Sequence, residues 1–174
     1  WEARKFWGLV LVEGRNLARH ALSLTGGGVD ARPFVLGLIG FATAMRNQLR
    51  GHLRQEGLAG LLPAELVERI GQARFAPALV LLWLAQWLRG VREAGHLSPM
   101  LAQHMEQSLD ALSAALGGCE RIANTPLPFT YSVILHRTVY LYCLMLPFGL
   151  LDSIGVMTPL MVTFVAYTFF AIEA

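Results

Sequence analysis

Apolar side chains recur at three- and four-residue spacing through the first two thirds of the chain. This spacing puts them on one face of an α-helix, so it predicts amphipathic helices rather than strands. Glycines and prolines between the apolar stripes set the predicted helix ends. The predicted helices cover residues 2–22, 33–49, 63–70, 77–93 and 98–116, and Gly117-Gly118 is predicted to end the last of them.

The stripes with the most regular spacing predict the core of a helical bundle. An uncharged run over residues 75–88 is apolar on all sides, but it is shorter than the roughly 20 residues that cross a bilayer. It therefore predicts a buried helix in which Trp83 and Trp87 pack in the core. The two clearest stripes are Phe34, Leu38, Phe41, Met45 and Leu49, followed by Leu101, Met105, Leu109, Leu112 and Leu116.

The pattern changes after Arg121. From there to the last residue, the acidic and basic residues are Arg137, Asp152 and Glu173. Apolar stretches over residues 129–151 and 153–172 are each long enough to cross a bilayer, and they predict two transmembrane helices. The break between them is predicted near Pro147-Phe148-Gly149 and Asp152.

Residues 119–128 are predicted to form an elbow between a helical region, 1–118, and the membrane region, 129–174. Prolines interrupt helices because they lack a backbone N–H, and asparagine and threonine side chains can bond to the backbone groups that are left. A membrane-bound enzyme using residues 120–129 is an alternative hypothesis. The residues of the elbow are Glu120, Arg121, Asn124, Thr125, Pro126 and Pro128.

Arg137 is a cation within an apolar segment, beside His136. A charge at the centre of a membrane helix costs at least about 2.5 kcal/mol on insertion scales, so such residues face protein, water or an ion. Two roles stay open for Arg137. One hypothesis is that Arg137 forms a salt bridge between helices or subunits, and the other is that it lies on an ion pathway.

Composition and charge narrow the classes of function. The chain has 174 residues, of which 55% are hydrophobic, and its mean hydropathy is +0.48. A net charge of +2 gives no support for binding to nucleic acid. Up to Arg121 there are thirteen basic and ten acidic residues, a net charge of +3, and the remainder carries −1. A mildly basic region next to membrane helices favours the cytoplasmic side.

The reactive residue types form no recognisable catalytic or metal-binding pattern. Cys119 and Cys143 have no metal-ligand spacing and are expected to be free thiols. No two histidines stand at the i, i+4 spacing that lets a helix hold zinc with a pair of them. We predict no catalytic, cofactor or metal residues, and therefore no enzyme.

Residues 118–152, GCERIANTPLPFTYSVILHRTVYLYCLMLPFGLLD, closely resemble the bacterial branch of the bestrophin ion channels. The opening Trp1-Glu2-Ala3-Arg4-Lys5-Phe6-Trp7-Gly8 resembles the family's tryptophan-rich segment after its second membrane helix. The segment that begins Met157-Thr158-Pro159-Leu160 fits as well. The resemblance covers the whole chain and implies an all-α membrane protein of the bacterial inner membrane, truncated at both ends, with residues 1–118 in the cytoplasm.

The resemblance also implies the function. Bestrophins are pentamers with one central pore, through which small inorganic ions diffuse passively, and chloride is the expected ion. Their hydrophobic neck lies before the segment that Trp1 opens, and no calcium ligand can be carried over to this chain. Leu160 and Met161 are the candidates for the cytosolic aperture. A cation-selective channel and a structural membrane module are the alternatives, and the expected partners are lipid, further copies of the chain and inorganic ions.

Overall fold

The computed structural model describes residues 1–26, 28–125 and 129–173, with the backbone alone for residues 129, 132, 151–154, 170, 172 and 173. These residues form seven α-helices and contain no β-strand, which confirms the prediction of an all-α fold. The helices are α1 (Glu2–Ser23), α2 (Arg32–Arg50), α3 (Ala64–Gln72), α4 (Ala76–Glu93), α5 (Pro99–Asn124), α6 (Phe129–Ile154) and α7 (Thr158–Glu173).

The chain divides into two compact units, Trp1–Thr125 and Pro126–Ala174. In the first unit the predicted stripes supply the core. Phe34, Phe41 and Met45 of α2 are almost fully buried, as are Met105 and Leu112 of α5. The ring of Trp87 on α4 lies 4.6 Å from that of Phe34, centroid to centroid. The core role predicted for this tryptophan is therefore confirmed.

Helix α5 does not end at Gly117-Gly118, as the sequence predicted. It continues to Asn124, so residues 119–124 of the predicted elbow are helical. Gly118 serves packing instead of termination, because a methyl group at its Cα would collide with the ring of Phe6 on α1. A glycine that lets two helices approach closely looks the same in a sequence as one that caps a helix.

Helices α1 and α5 pack antiparallel along their length. Glu2 faces Arg121 at one end, Phe6 covers Gly118, and His20 meets His104 towards the other end. The contacts on α1 span about 27 Å and those on α5 about 26 Å at 1.5 Å per residue, so the two helices stay in register. This pair forms the most extensive helix contact of the first unit.

The Ser98 side chain caps the start of α5. The Ser98 hydroxyl accepts a hydrogen bond from the backbone N–H of Leu101 at 3.3 Å, and Pro99 occupies the first turn. We expect Ser98→Ala to lower the free energy of unfolding by about 1 kcal/mol, because that N–H loses its partner. Thermal melts of the detergent-solubilised protein measure this loss. Ser98→Asn keeps a capping oxygen, so equal melting temperatures for the two variants would contradict the prediction.

The second unit contains α6 and α7, joined by a 3-10 turn over Gly155–Met157. The predicted break between the two helices is present, but Pro147-Phe148-Gly149 does not form it, because α6 runs through Pro147 and ends at Ile154, two residues after Asp152. The chain turns at Gly155, whose φ of +56° is a conformation that suits glycine. The buried hydroxyl of Thr158 donates to the Gly155 carbonyl at 2.7 Å and secures the turn.

Candidate functional site: the apolar helix pair and the polar end of helix α5

Helix α6 is long and apolar enough to cross a membrane. The qualifying window is Val133–Leu150, and none of its residues is buried within the chain. A helix of this length in the core of a soluble protein would be largely covered, so the exposed apolar surface favours contact with lipid or other subunits. The apolar part around α7, Gly155–Phe169, is shorter, and the second transmembrane segment stays a prediction.

Arg137 lies near one end of this window, four residues after Val133. That distance is about 6 Å along the helix, so the cost of burying a charge at the bilayer centre is an upper bound here. Its side chain is exposed within the chain, and no ion pair between the described side chains includes it. A partner for the guanidinium must therefore come from the membrane surface, another subunit or a part of the protein that is not described. His136 beside it is also exposed.

The aperture candidates lie in the first turn of α7. Leu160 and Met161 are 68% and 40% exposed within the chain, so both side chains are available to line a passage or to contact another subunit. An edge-to-face contact between Tyr142 and Phe169, with centroids 5.7 Å apart, holds α7 against α6. The role of Leu160 and Met161 in the aperture stays a prediction.

The predicted elbow residues occupy the last two turns of α5. The Glu120 carboxylate accepts a hydrogen bond from the Gln48 side-chain amide, which links α5 to α2. Arg121 lies 3.8 Å from the Glu2 carboxylate, but both side chains are about two-thirds exposed and the pair stabilises weakly. The Thr125 hydroxyl donates to the Arg121 carbonyl at 2.6 Å, as expected for a side chain that bonds a carbonyl at the helix end. Asn124 ends the helix, and Pro126 and Pro128 lie outside the described residues.

The described contacts of this polar cluster join α5 to its neighbours and satisfy the end of the helix. Its groups are occupied with one another or with backbone, and no group of three or more histidine, cysteine or acidic residues capable of holding a metal occurs among the described residues. Cys119 in the preceding turn is a free, buried thiol, and burial raises its pKa, which keeps it protonated. The described arrangement supports a structural role for the end of α5.

The structure brings together two histidines that no spacing in the sequence pairs. The rings of His20 on α1 and His104 on α5 lie 5.2 Å apart, and His20 is buried. They are separated by more than eighty positions in the chain, so no local spacing could indicate the pair. Only the antiparallel register of α1 and α5 reveals it.

Comparisons with known proteins identify the family. Residues 1–174 match the family described as Bacterial/Fungal Bestrophin protein. The chain belongs to the bestrophin family. A protein of Ralstonia nicotianae named as a voltage-dependent anion channel-forming protein is 46% identical over 177 residues, covering 100% of this chain and 58% of that protein. An Escherichia coli protein with the same description is 39% identical over 172 residues, covering 99% of this chain and 57% of its own length.

Solved bestrophin structures share the fold. A crystal structure of a bacterial bestrophin homolog from Klebsiella pneumoniae, phased on zinc, superposes with a TM-score of 0.89 at 40% identity. The match covers 98% of this chain and 64% of that one. The bestrophin chain described here therefore spans less than two thirds of these relatives. The family and the apolar α6 together indicate a membrane protein.

Proposed function

We propose that the protein containing this chain is a pore-forming subunit of an anion channel in the bacterial inner membrane. The observation that carries the proposal is the family match over all 174 residues, with relatives described as voltage-dependent anion channel-forming proteins. The exposed apolar surface of α6 supports it, because a subunit of a membrane assembly must bury such a surface against lipid or its neighbours.

The proposed arrangement places residues 1–118 in the cytoplasm and five copies of the subunit around one pore. The +3 charge of the region up to Arg121, next to the apolar pair α6 and α7, supports the cytoplasmic side, and the resemblance to bestrophins implies the five copies. Conduction is passive diffusion, in which apolar constrictions gate by dewetting and charges near the path select the sign of the ion. Leu160 and Met161 are the proposed aperture residues of this chain.

Ion flux from proteoliposomes tests the proposal. We expect the full-length protein to release chloride down its gradient, and a reversal potential in planar bilayers that follows the chloride gradient rather than the potassium gradient. Mass photometry of the detergent-solubilised protein should give five subunits. A reversal potential that follows the potassium gradient would favour the alternative hypothesis of a cation-selective channel. The absence of any flux would favour the hypothesis of a structural membrane module.

A further inference from the structure

The contact between α1 and α5 contains one buried group that cannot be charged without cost. His20 is 6% exposed and touches the ring of His104. The Arg19 guanidinium lies 3.0 Å from Nε2 of His20. A guanidinium is only a donor, so Nε2 must accept, and the neutral ring carries its proton on Nδ1. That Nδ1 is buried and has no hydrogen-bond partner.

Protonation of His20 would disrupt this arrangement. The added proton would occupy Nε2 and point a positive N–H at the Arg19 guanidinium, which is also positive. The ring would become a buried cation, and only Glu13 among the groups that act on it favours that charge. The contact is therefore compatible with the neutral ring and incompatible with the charged one.

The charged and titratable groups that act on His20 come from α1 and α5. From α1 the groups that act on His20 are Arg19 and Glu13, and from α5 the group is His104. Helix α2 also packs against α1, but its charged residues Arg32, Arg46 and Arg50 are not among the described groups that shift His20. Burial, then Arg19, then His104 lower the pKa of His20 below its ordinary value of 6.5.

The position of the contact decides what it controls. It lies three residues before the last residue of α1, Ser23. The backbone N–H of Gly26, just beyond, bonds the His96 carbonyl at 2.8 Å, in the turn that leads into α5. These two contacts join the last turn of α1 to the start of α5. The opposite end of the same helix pair is joined by the Phe6–Gly118 packing and by the exposed Glu2–Arg121 pair, and no histidine takes part in either contact.

We propose that His20 and His104 form a pH-sensitive clasp, which holds the last turns of α1 against the start of α5 when His20 is neutral and loosens when His20 is protonated. The inference does not depend on ion selectivity, and it concerns the start of α5 rather than the last turns of that helix. The sign follows from linkage. Above the ordinary pKa the clasp is fully stable, and its stability falls as the pH drops below about 6.5, because the open state binds the proton more readily.

Hydrogen–deuterium exchange of the full-length protein in detergent tests the clasp. After correction for the intrinsic pH dependence of exchange, we expect peptides covering residues 15–24 to lose protection at least about twofold between pH 7.5 and pH 5.5. Peptides covering residues 2–10, on the other half of α1, should change less. His20→Gln should retain protection at pH 7.5 and lose the acid response.

Two variants at exposed positions serve where His20→Gln fails to fold. Arg19→Gln and His104→Gln each remove one group that opposes protonation, so the acid response should become smaller and should level off closer to pH 6.5. His52→Gln is the matched control, since His52 is exposed, lies 3.6 Å from Glu56 and is remote from the clasp in the chain. An acid response that is the same in Arg19→Gln, His104→Gln and the unchanged protein overturns the proposal. So does an acid response that disappears in His52→Gln.

Discussion

Replacing Arg137 by methionine should lower the thermal stability of the assembled protein, while the channels that survive keep their anion-to-cation permeability ratio. Methionine matches the length and apolar character of the arginine stem, so the change removes mainly the charge and the donors. A counter-charge left without its partner in a low-dielectric site costs up to about 3–5 kcal/mol. The measurement is the melting temperature of the detergent-solubilised protein beside reversal potentials in planar bilayers.

Arg137→Lys is the matched control, because it keeps the charge and loses only the planar fork of donors. It should fall between the unchanged protein and Arg137→Met in stability. A stable assembly of Arg137→Met with a shifted reversal potential would show instead that the guanidinium faces the ions. The position of Arg137 near the start of the apolar window is what favours the first outcome, since a cation there can reach a partner at the membrane surface.

Gly118→Leu should destabilise the first unit by about 1–3 kcal/mol through overpacking. The new side chain would need the space that the Phe6 ring occupies, and either the ring leaves its site or α1 moves off α5. The neighbouring Gly117 offers an internal comparison, because a Cβ there would meet nothing within 4 Å. Gly117→Ala should stabilise the helix by up to about 1 kcal/mol, since alanine is the better helix former.

A double-mutant cycle isolates the contact. In a Phe6→Ala background the ring is gone, and the penalty of Gly118→Leu should shrink by most of its value, because adjacent mutations that share a contact are not additive. Melting temperatures of the four proteins in the cycle give the coupling. An unchanged penalty in the Phe6→Ala background would falsify the packing role of Gly118.

Local patterns in the sequence predicted most of the helices well. Ser98 and Pro99 fixed the start of α5, because the serine oxygen and the proline φ each satisfy the first turn of a helix whatever lies around it. The stripe from Leu101 to Leu116 is likewise a local property, and its members from Met105 onward are buried. Such signals need no knowledge of the rest of the chain.

The errors came from residues whose meaning depends on distant partners. Gly118 lies inside α5, and it is a glycine because the ring of Phe6, more than a hundred positions away, occupies the space beside it. Pro147 breaks the hydrogen bond to Cys143 four residues earlier, yet α6 continues, as apolar helices of membrane proteins tolerate. His20 and His104 meet only through the register of α1 on α5. The function was predicted from the family resemblance, because composition and spacing alone predict neither the ion, nor the pore, nor the number of subunits.

The antiparallel pairing of α1 with α5 has a consequence for the order in which the chain folds. During synthesis α1 is made before α5, and the helix that covers it is completed only at Asn124. Closing so long a loop costs entropy that local helix formation does not repay, and contacts of this kind slow folding. Until then the apolar face of α1 is open to chaperones and to aggregation. The ribosome reaches the apolar α6 directly afterwards, so completion of the first core and delivery of α6 to the membrane fall at neighbouring moments of translation.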